Sequence, residues 1–130
     1  MNIPSLMPRF AIALIAGVAV STASFAATAA NTGAKSGGDV TVTGEVLDMA
    51  CYLDHGAHGA KHADCAKKCI SSGLPVGLKG TDGKTYLLIG EHMPANDELA
   101  KHAAETITVH GKLVERDGIN LLENISIVKS

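Results

Sequence analysis

The segment at residues 40–49 reads VTVTGEVLDM and alternates β-branched residues with polar ones, which predicts a β-strand. Gly44 interrupts the alternation and predicts a bulge or a sharp bend at that point. A second segment, VHGKL at residues 109–113, opens in a similar way to VTGEV at residues 42–46. The chain is therefore expected to be mainly β.

Outward from this strand, the chain divides into short segments separated by residues that favour turns. Residues 80–83 read GTDG, a turn signal that predicts a β-hairpin between its neighbours. Gly73 marks the end of one short helix, and Asn96 is suited to cap the start of another. The predicted elements are strands at 75–79, 84–89, 105–115 and 119–128, and helices at 60–72 and 96–104.

This order of elements resembles that of small exported bacterial domains of the OB-fold type. The resemblance covers residues 40–128 and includes the two similar strand openings. It implies a five-stranded OB-like barrel with a short helix between strands 3 and 4 and a helical Cys/His insertion between strands 1 and 2. A β-sandwich or an open meander is the alternative architecture.

The N-terminus has the three parts of a cleavable signal peptide, predicted over residues 1–26. Arg9 precedes a short apolar run, and small residues lead to a cleavage site after Ala26. The apolar run is shorter than the roughly 20 residues that span a bilayer, so no membrane association is expected after cleavage. Residues 27–39 are predicted as a flexible leader and residues 40–130 as the domain, located in the periplasm or secreted.

Composition argues against nucleic acid as a partner. The chain has 11 basic and 13 acidic side chains, a formal net charge of −2, and only two Tyr, two Phe and no Trp. Neither a basic surface nor aromatic side chains for base stacking are available. The sequence also lacks motifs for acid–base or nucleophilic catalysis, so a role without turnover is expected.

The insertion, at about residues 50–73, combines thiols and imidazoles. Its cysteines and histidines are Cys51, His55, His58, His62, Cys65 and Cys69. Each residue of a helix turns by about 100°, so His62, Cys65 and Cys69 are expected to share one narrow arc. Cys51, at the end of the first strand, would supply a fourth ligand. Three sulfurs and one nitrogen suit zinc or copper(I), and this set is the predicted metal site.

The Cys-x₃-Cys spacing of Cys65 and Cys69, with His62 nearby, resembles the copper site of the oxidase-assembly copper chaperones. In those proteins Pro follows the second cysteine, whereas Ile70 follows it here. The resemblance implies a role in metal carriage, delivery or sensing, with another exported protein as a possible partner. Lys67 and Lys68 are expected to favour the thiolate forms.

Two other interpretations remain open on the sequence. The odd number of cysteines, 3, allows a disulfide from Cys51 to Cys65 or Cys69 with one spare thiol, in a protein-interaction module. The same thiols could exchange disulfides in a redox protein. Gly56 and Gly59 favour a flexible loop for His55 and His58, whose participation the sequence leaves open, as it does the oligomeric state.

Overall fold

A computed structural model describes residues 35–128, and these residues form a closed five-stranded barrel. The order around the barrel is β1-β2-β3-β5-β4. The strands are β1 (Lys35–Asp48), β2 (Val76–Gly80), β3 (Thr85–Leu88), β4 (Thr106–Arg116) and β5 (Ile119–Ile127). The prediction of a mainly β, five-stranded barrel is confirmed. The predicted signal peptide lies outside the described residues, as does the leader up to residue 34.

The barrel closes through one long antiparallel ladder between β1 and β4. Strand β1 begins at Lys35, which pairs with Glu115, five residues before the predicted start at Val40. Composition could not predict this extension, because residues 35–39 are extended only through their pairing with β4. All strand pairs are antiparallel except β3 with β5, which run parallel.

Gly44 lies where β1 pairs with two neighbours at once. It is opposite Gly80 of β2 and Ile107 of β4. The ladder with β4 passes through Gly44 without a shift, and its irregularity falls between residues 36 and 39 instead. Of the two alternatives predicted at Gly44, a bulge or a sharp bend, the bulge is therefore wrong. The glycine is needed for a different reason, which is the close approach of the β2 backbone: a Cβ atom at Gly44 would lie 2.4 Å from the Lys79 carbonyl oxygen.

Three short helices lie between the strands. They are α1 (Met49–His55), α2 (Ala63–Ser71) and α3 (Asn96–Leu99), with 3₁₀ turns at Ala60–His62 and Ala100–His102. The first two helices lie between β1 and β2, and the third lies between β3 and β4. The described helices are all too short or too polar to cross a membrane.

The barrel interior is mainly aliphatic and includes the buried ring of Tyr86, and two helices contribute to it. Ile70 of α2 and Leu99 of α3 are fully buried in the same cluster as residues from the strands. The Asn96 side chain donates hydrogen bonds of 2.8 Å to the carbonyl oxygens of Ile70 and Leu74. Helix α2 is therefore fastened to the barrel at its C-terminal end, and it offers a fixed position for the cysteines on its other side.

Candidate metal centre

The three cysteines of the chain converge on one point beside the barrel. Helix α1 carries Cys51, and α2 carries Cys65 and Cys69 about one turn apart. Their sulfur atoms all lie within 4.8 Å of one another. All three are free thiols; Cys65 is exposed, and Cys51 and Cys69 are half-buried. The prediction that the insertion brings its thiols together is confirmed.

Helix α1, which the sequence analysis missed, holds Cys51 in place. Asp48 caps this helix: its carboxylate accepts hydrogen bonds from the backbone N–H groups of Ala50, at 3.3 Å, and Cys51, at 3.1 Å. Gly56 ends the helix in the left-handed conformation, at φ 71°. The sequence pattern did not predict the start of this helix, because Asp48 and Met49 continue the alternation of residues 40–49.

A buried carboxylate acts on two of the three thiols. Asp48 is only 3% exposed, and it raises the pKa values of both Cys51 and Cys69. The hydrogen bond to Asp48, followed by burial, raises the pKa of Cys51 to about 12. Burial, followed by the charge of Asp48, also raises the pKa of Cys69. Without a bound cation, both groups are therefore protonated at neutral pH.

The expected effect of Lys67 and Lys68 on these thiols is wrong for Cys51 and Cys69, whose pKa values are raised. The two lysines line a separate surface depression with Asp64, Ser71 and Ser72. Lys67 and Lys68 thus face a different surface from the sulfurs. The charged residue that shifts the pKa values of Cys51 and Cys69 is Asp48.

Replacing Asp48 with asparagine is expected to speed alkylation of Cys51 at pH 8 by about tenfold or more. Asparagine still caps the helix but carries no charge, so the pKa of Cys51 falls and its thiolate fraction rises. Iodoacetamide labelling of the metal-free protein, followed at Cys51 by mass spectrometry, measures the rate. Asp54→Asn is the matched control, since Asp54 is an exposed carboxylate on the same helix. Equal rates in both variants would show that Asp48 does not control this thiol.

Two imidazoles lie beside the sulfur cluster. His58 and His62 line a small cavity, of about 10 Å³, together with Cys51 and Cys65. This volume accommodates a single water-sized guest. Among residues 35–128, the compact group of potential ligand atoms consists of the three sulfurs, and neither histidine belongs to it.

The predicted ligand His62 lies just before helix α2 rather than on it. Its φ of −105° and ψ of 2° place it at the N-cap position, at the end of the 3₁₀ turn Ala60–His62. The helical arc predicted for His62, Cys65 and Cys69 therefore applies only to the two cysteines. His62 is half-buried, and its ring centroid lies 6.5 Å from that of His55.

Asp48 and His58 lie closer to the sulfur cluster than their positions in the sequence indicated. Asp48 stands three residues before Cys51, the spacing at which a side chain caps a helix start, and this signal could have been used. His58 had no comparable signal, because its position depends on how residues 56–59 fold back onto the end of β1.

Comparison with known proteins gives no relative for this chain. No family model matches it, and neither a curated protein nor a solved structure was found to be similar. The assignment of function therefore depends on the geometry of the site.

Proposed function

We propose that this protein binds one transition-metal ion, zinc or copper(I), through Cys51, Cys65 and Cys69. The proposed role is carriage, delivery or sensing of the metal, without turnover. The observation that supports it is the convergence of three free sulfurs within 4.8 Å of one another. Thiolates are soft ligands that favour these two ions, and three of them can bind one ion together.

The convergence of all three thiols favours a metal over a disulfide. A disulfide would use two sulfurs and leave the third beside them without a function. The three sulfurs are mutually close, each within 4.8 Å of the other two, so the cluster has no isolated third thiol. An ion that replaces the thiol protons would use every thiol of the cluster.

Charge favours zinc over copper(I) in this site. Three thiolates beside the Asp48 carboxylate bring four negative charges to a half-buried place. A divalent cation leaves less of this charge uncompensated than a monovalent one. In the absence of a cation the hydrogen bond to Asp48, followed by burial, keeps Cys51 protonated, with its pKa at about 12, so binding releases protons.

We also propose that the barrel is of the OB type and that the protein is exported. The strand order β1-β2-β3-β5-β4 and the parallel pairing of β3 with β5 support the first proposal. The second rests on the sequence of residues 1–26, which has the organisation of a signal peptide. In an oxidising compartment a bound metal would be useful, because the metal protects the thiols from forming disulfides.

Metal titration and thiol counting together test the proposed function. Protein lacking residues 1–26 is expected to bind one zinc or copper(I) ion per chain, measured by elemental analysis after gel filtration. The loaded form should resist alkylation, and the chelated form should expose three reactive thiols. One reactive thiol and no metal would instead support the disulfide-linked interaction module. A thiol count that shifts with mild reductant, again without metal, would support the redox protein.

A further inference from the structure

We infer that His58 supplies the fourth ligand of the metal ion and thereby makes the site selective for zinc. This inference rests on the proposed metal-binding function and extends it to a residue outside the three cysteines. It concerns a loop, residues 56–59, that joins α1 to the 3₁₀ turn before α2.

The hydrogen bonding of His58 fixes which ring nitrogen is available. Its Nδ1 lies 2.7 Å from the carbonyl oxygen of Gly56. A carbonyl oxygen only accepts, so Nδ1 carries the proton and donates it. In the neutral ring Nε2 then has the free lone pair. Histidines that bind metals commonly donate their other nitrogen to a backbone carbonyl or a carboxylate in this way.

The position of His58 places it at the outer side of the sulfur cluster. It lines the 10 Å³ cavity with Cys51 and Cys65, and its side chain is otherwise exposed. Because its nitrogens are outside the compact sulfur group, a rearrangement of the His58 side chain must accompany coordination. An exposed fourth ligand can dissociate from the ion and open a coordination position to a ligand of a partner protein, as metal delivery requires.

The loop that carries His58 is held close to the site at both ends. Ala57 is buried, and its N–H donates a 3.3 Å hydrogen bond to the carbonyl oxygen of Cys51. The N–H of Gly59 donates to the carboxylate of Glu45 on β1. The ring of His58 also contacts the Tyr52 ring edge-on, at 6.3 Å between centroids. These contacts replace the free loop expected from Gly56 and Gly59.

The other two imidazoles near the site lack this arrangement. His55 is not among the residues that line the cavity, and its Nδ1 pairs with the exposed Asp54 carboxylate at 3.1 Å. His62 lines the cavity, but among residues 35–128 no hydrogen bond to its ring nitrogens fixes their roles. His62 is therefore the competing candidate for the fourth ligand: it has the same side chain, in the same cavity, without the orienting carbonyl.

A fourth ligand affects the two candidate metals differently. Zinc is bound almost always by four ligands in a tetrahedron, so it calls for a fourth donor in addition to the three sulfurs, and an imidazole nitrogen is a common one. Copper(I) is a softer ion, and its affinity depends chiefly on the thiolates. The inference thus predicts that a change at His58 weakens zinc binding strongly and copper(I) binding little.

The experiment compares His58→Ala with His62→Ala, using Zn²⁺, Co²⁺ and Cu⁺ as probes in competition with chelators. The expected result for His58→Ala is a loss of zinc affinity of about 100-fold or more, with a shift of the Co²⁺ visible bands that reports a lost nitrogen ligand. His62→Ala should change the zinc affinity less than about threefold, with unchanged bands. Circular dichroism checks that both variants fold.

A measurement on the unmutated protein gives a second test. Nitrogen-detected NMR of the histidine rings should show Nδ1 of His58 protonated without metal, and a large shift of Nε2 when Zn²⁺ is added. A Co²⁺ spectrum altered by His62→Ala but not by His58→Ala would overturn the inference. So would unaltered spectra in both variants of a protein that still binds zinc, although the three-cysteine site would then stand. No zinc binding by the unmutated protein would overturn the inference about His58, and no binding of either zinc or copper(I) would overturn the proposed function as well.

Discussion

Replacing Cys69 with serine is expected to lower zinc affinity by at least about 1,000-fold while the barrel stays folded. Loss of a group that only orients a ligand typically costs 10- to 100-fold, so loss of a ligand should cost more. Cys69 is the best choice among the three thiols because its sulfur lies within 4.8 Å of both others and its helix is anchored by the adjacent, fully buried Ile70. Serine keeps the shape of the side chain, but a hydroxyl does not ionise to bind zinc near neutral pH.

The measurement is competition with a chromophoric chelator, together with thermal unfolding of the metal-free protein. Lys67→Ala is the control, since Lys67 is exposed on the same helix and lies away from the sulfurs. The control should bind zinc as the unmutated protein does. The metal-free serine variant should unfold at nearly the same temperature, because Cys69 is only half-buried and Ile70 continues to anchor the helix.

Unchanged stoichiometry and affinity in Cys69→Ser would contradict the ligand set. A large fall in the stability of the metal-free form would show a different error, namely that the thiol is mainly a packing residue. The affinity measurement and the unfolding measurement together separate binding from folding, which an affinity measurement alone could not do.

The barrel could be predicted from sequence because its strands have strong local signals. These signals are local in sequence: they are the alternation at residues 40–49 and 105–115 and the turn at residues 80–83. They indicate strand positions without any knowledge of long-range contacts. The first five residues of β1 had no such signal. They are extended because β4 runs alongside, a contact between residues about 80 positions apart, such as Lys35 and Glu115.

The site could be predicted only in part, for a similar reason. The spacing of Cys65 and Cys69 is a property of one helix and was correctly interpreted. The position of Cys51 depends on Asp48 ending the strand and starting a helix in adjacent residues. The role inferred for His58 depends on Glu45 holding Gly59, a contact across 14 positions that no periodicity reports.

The largest effect on stability is expected from Gly44→Ala, which should destabilise the barrel by about 3 kcal/mol. The new Cβ would lie 2.4 Å from the carbonyl oxygen of Lys79 and 2.8 Å from the carbonyl carbon of Lys79. These are backbone atoms of a paired strand, so no side-chain rotation relieves the contact. Either β1 and β2 separate, with loss of their hydrogen bonds, or the ladder with β4 distorts.

Gly38→Ala is the matched control, because it is the same substitution in the same strand. A Cβ at Gly38 meets nothing within 4 Å, so its stability should change by less than about 0.5 kcal/mol. Urea unfolding of the metal-free protein, followed by circular dichroism, gives both values.

Since β1 runs from Gly44 directly into the Asp48 cap, separation of β1 from β2 should also disturb Cys51. Gly44→Ala is therefore expected to weaken zinc binding as well, whereas equal stability of the two variants would mean that β2 does not approach β1 this closely.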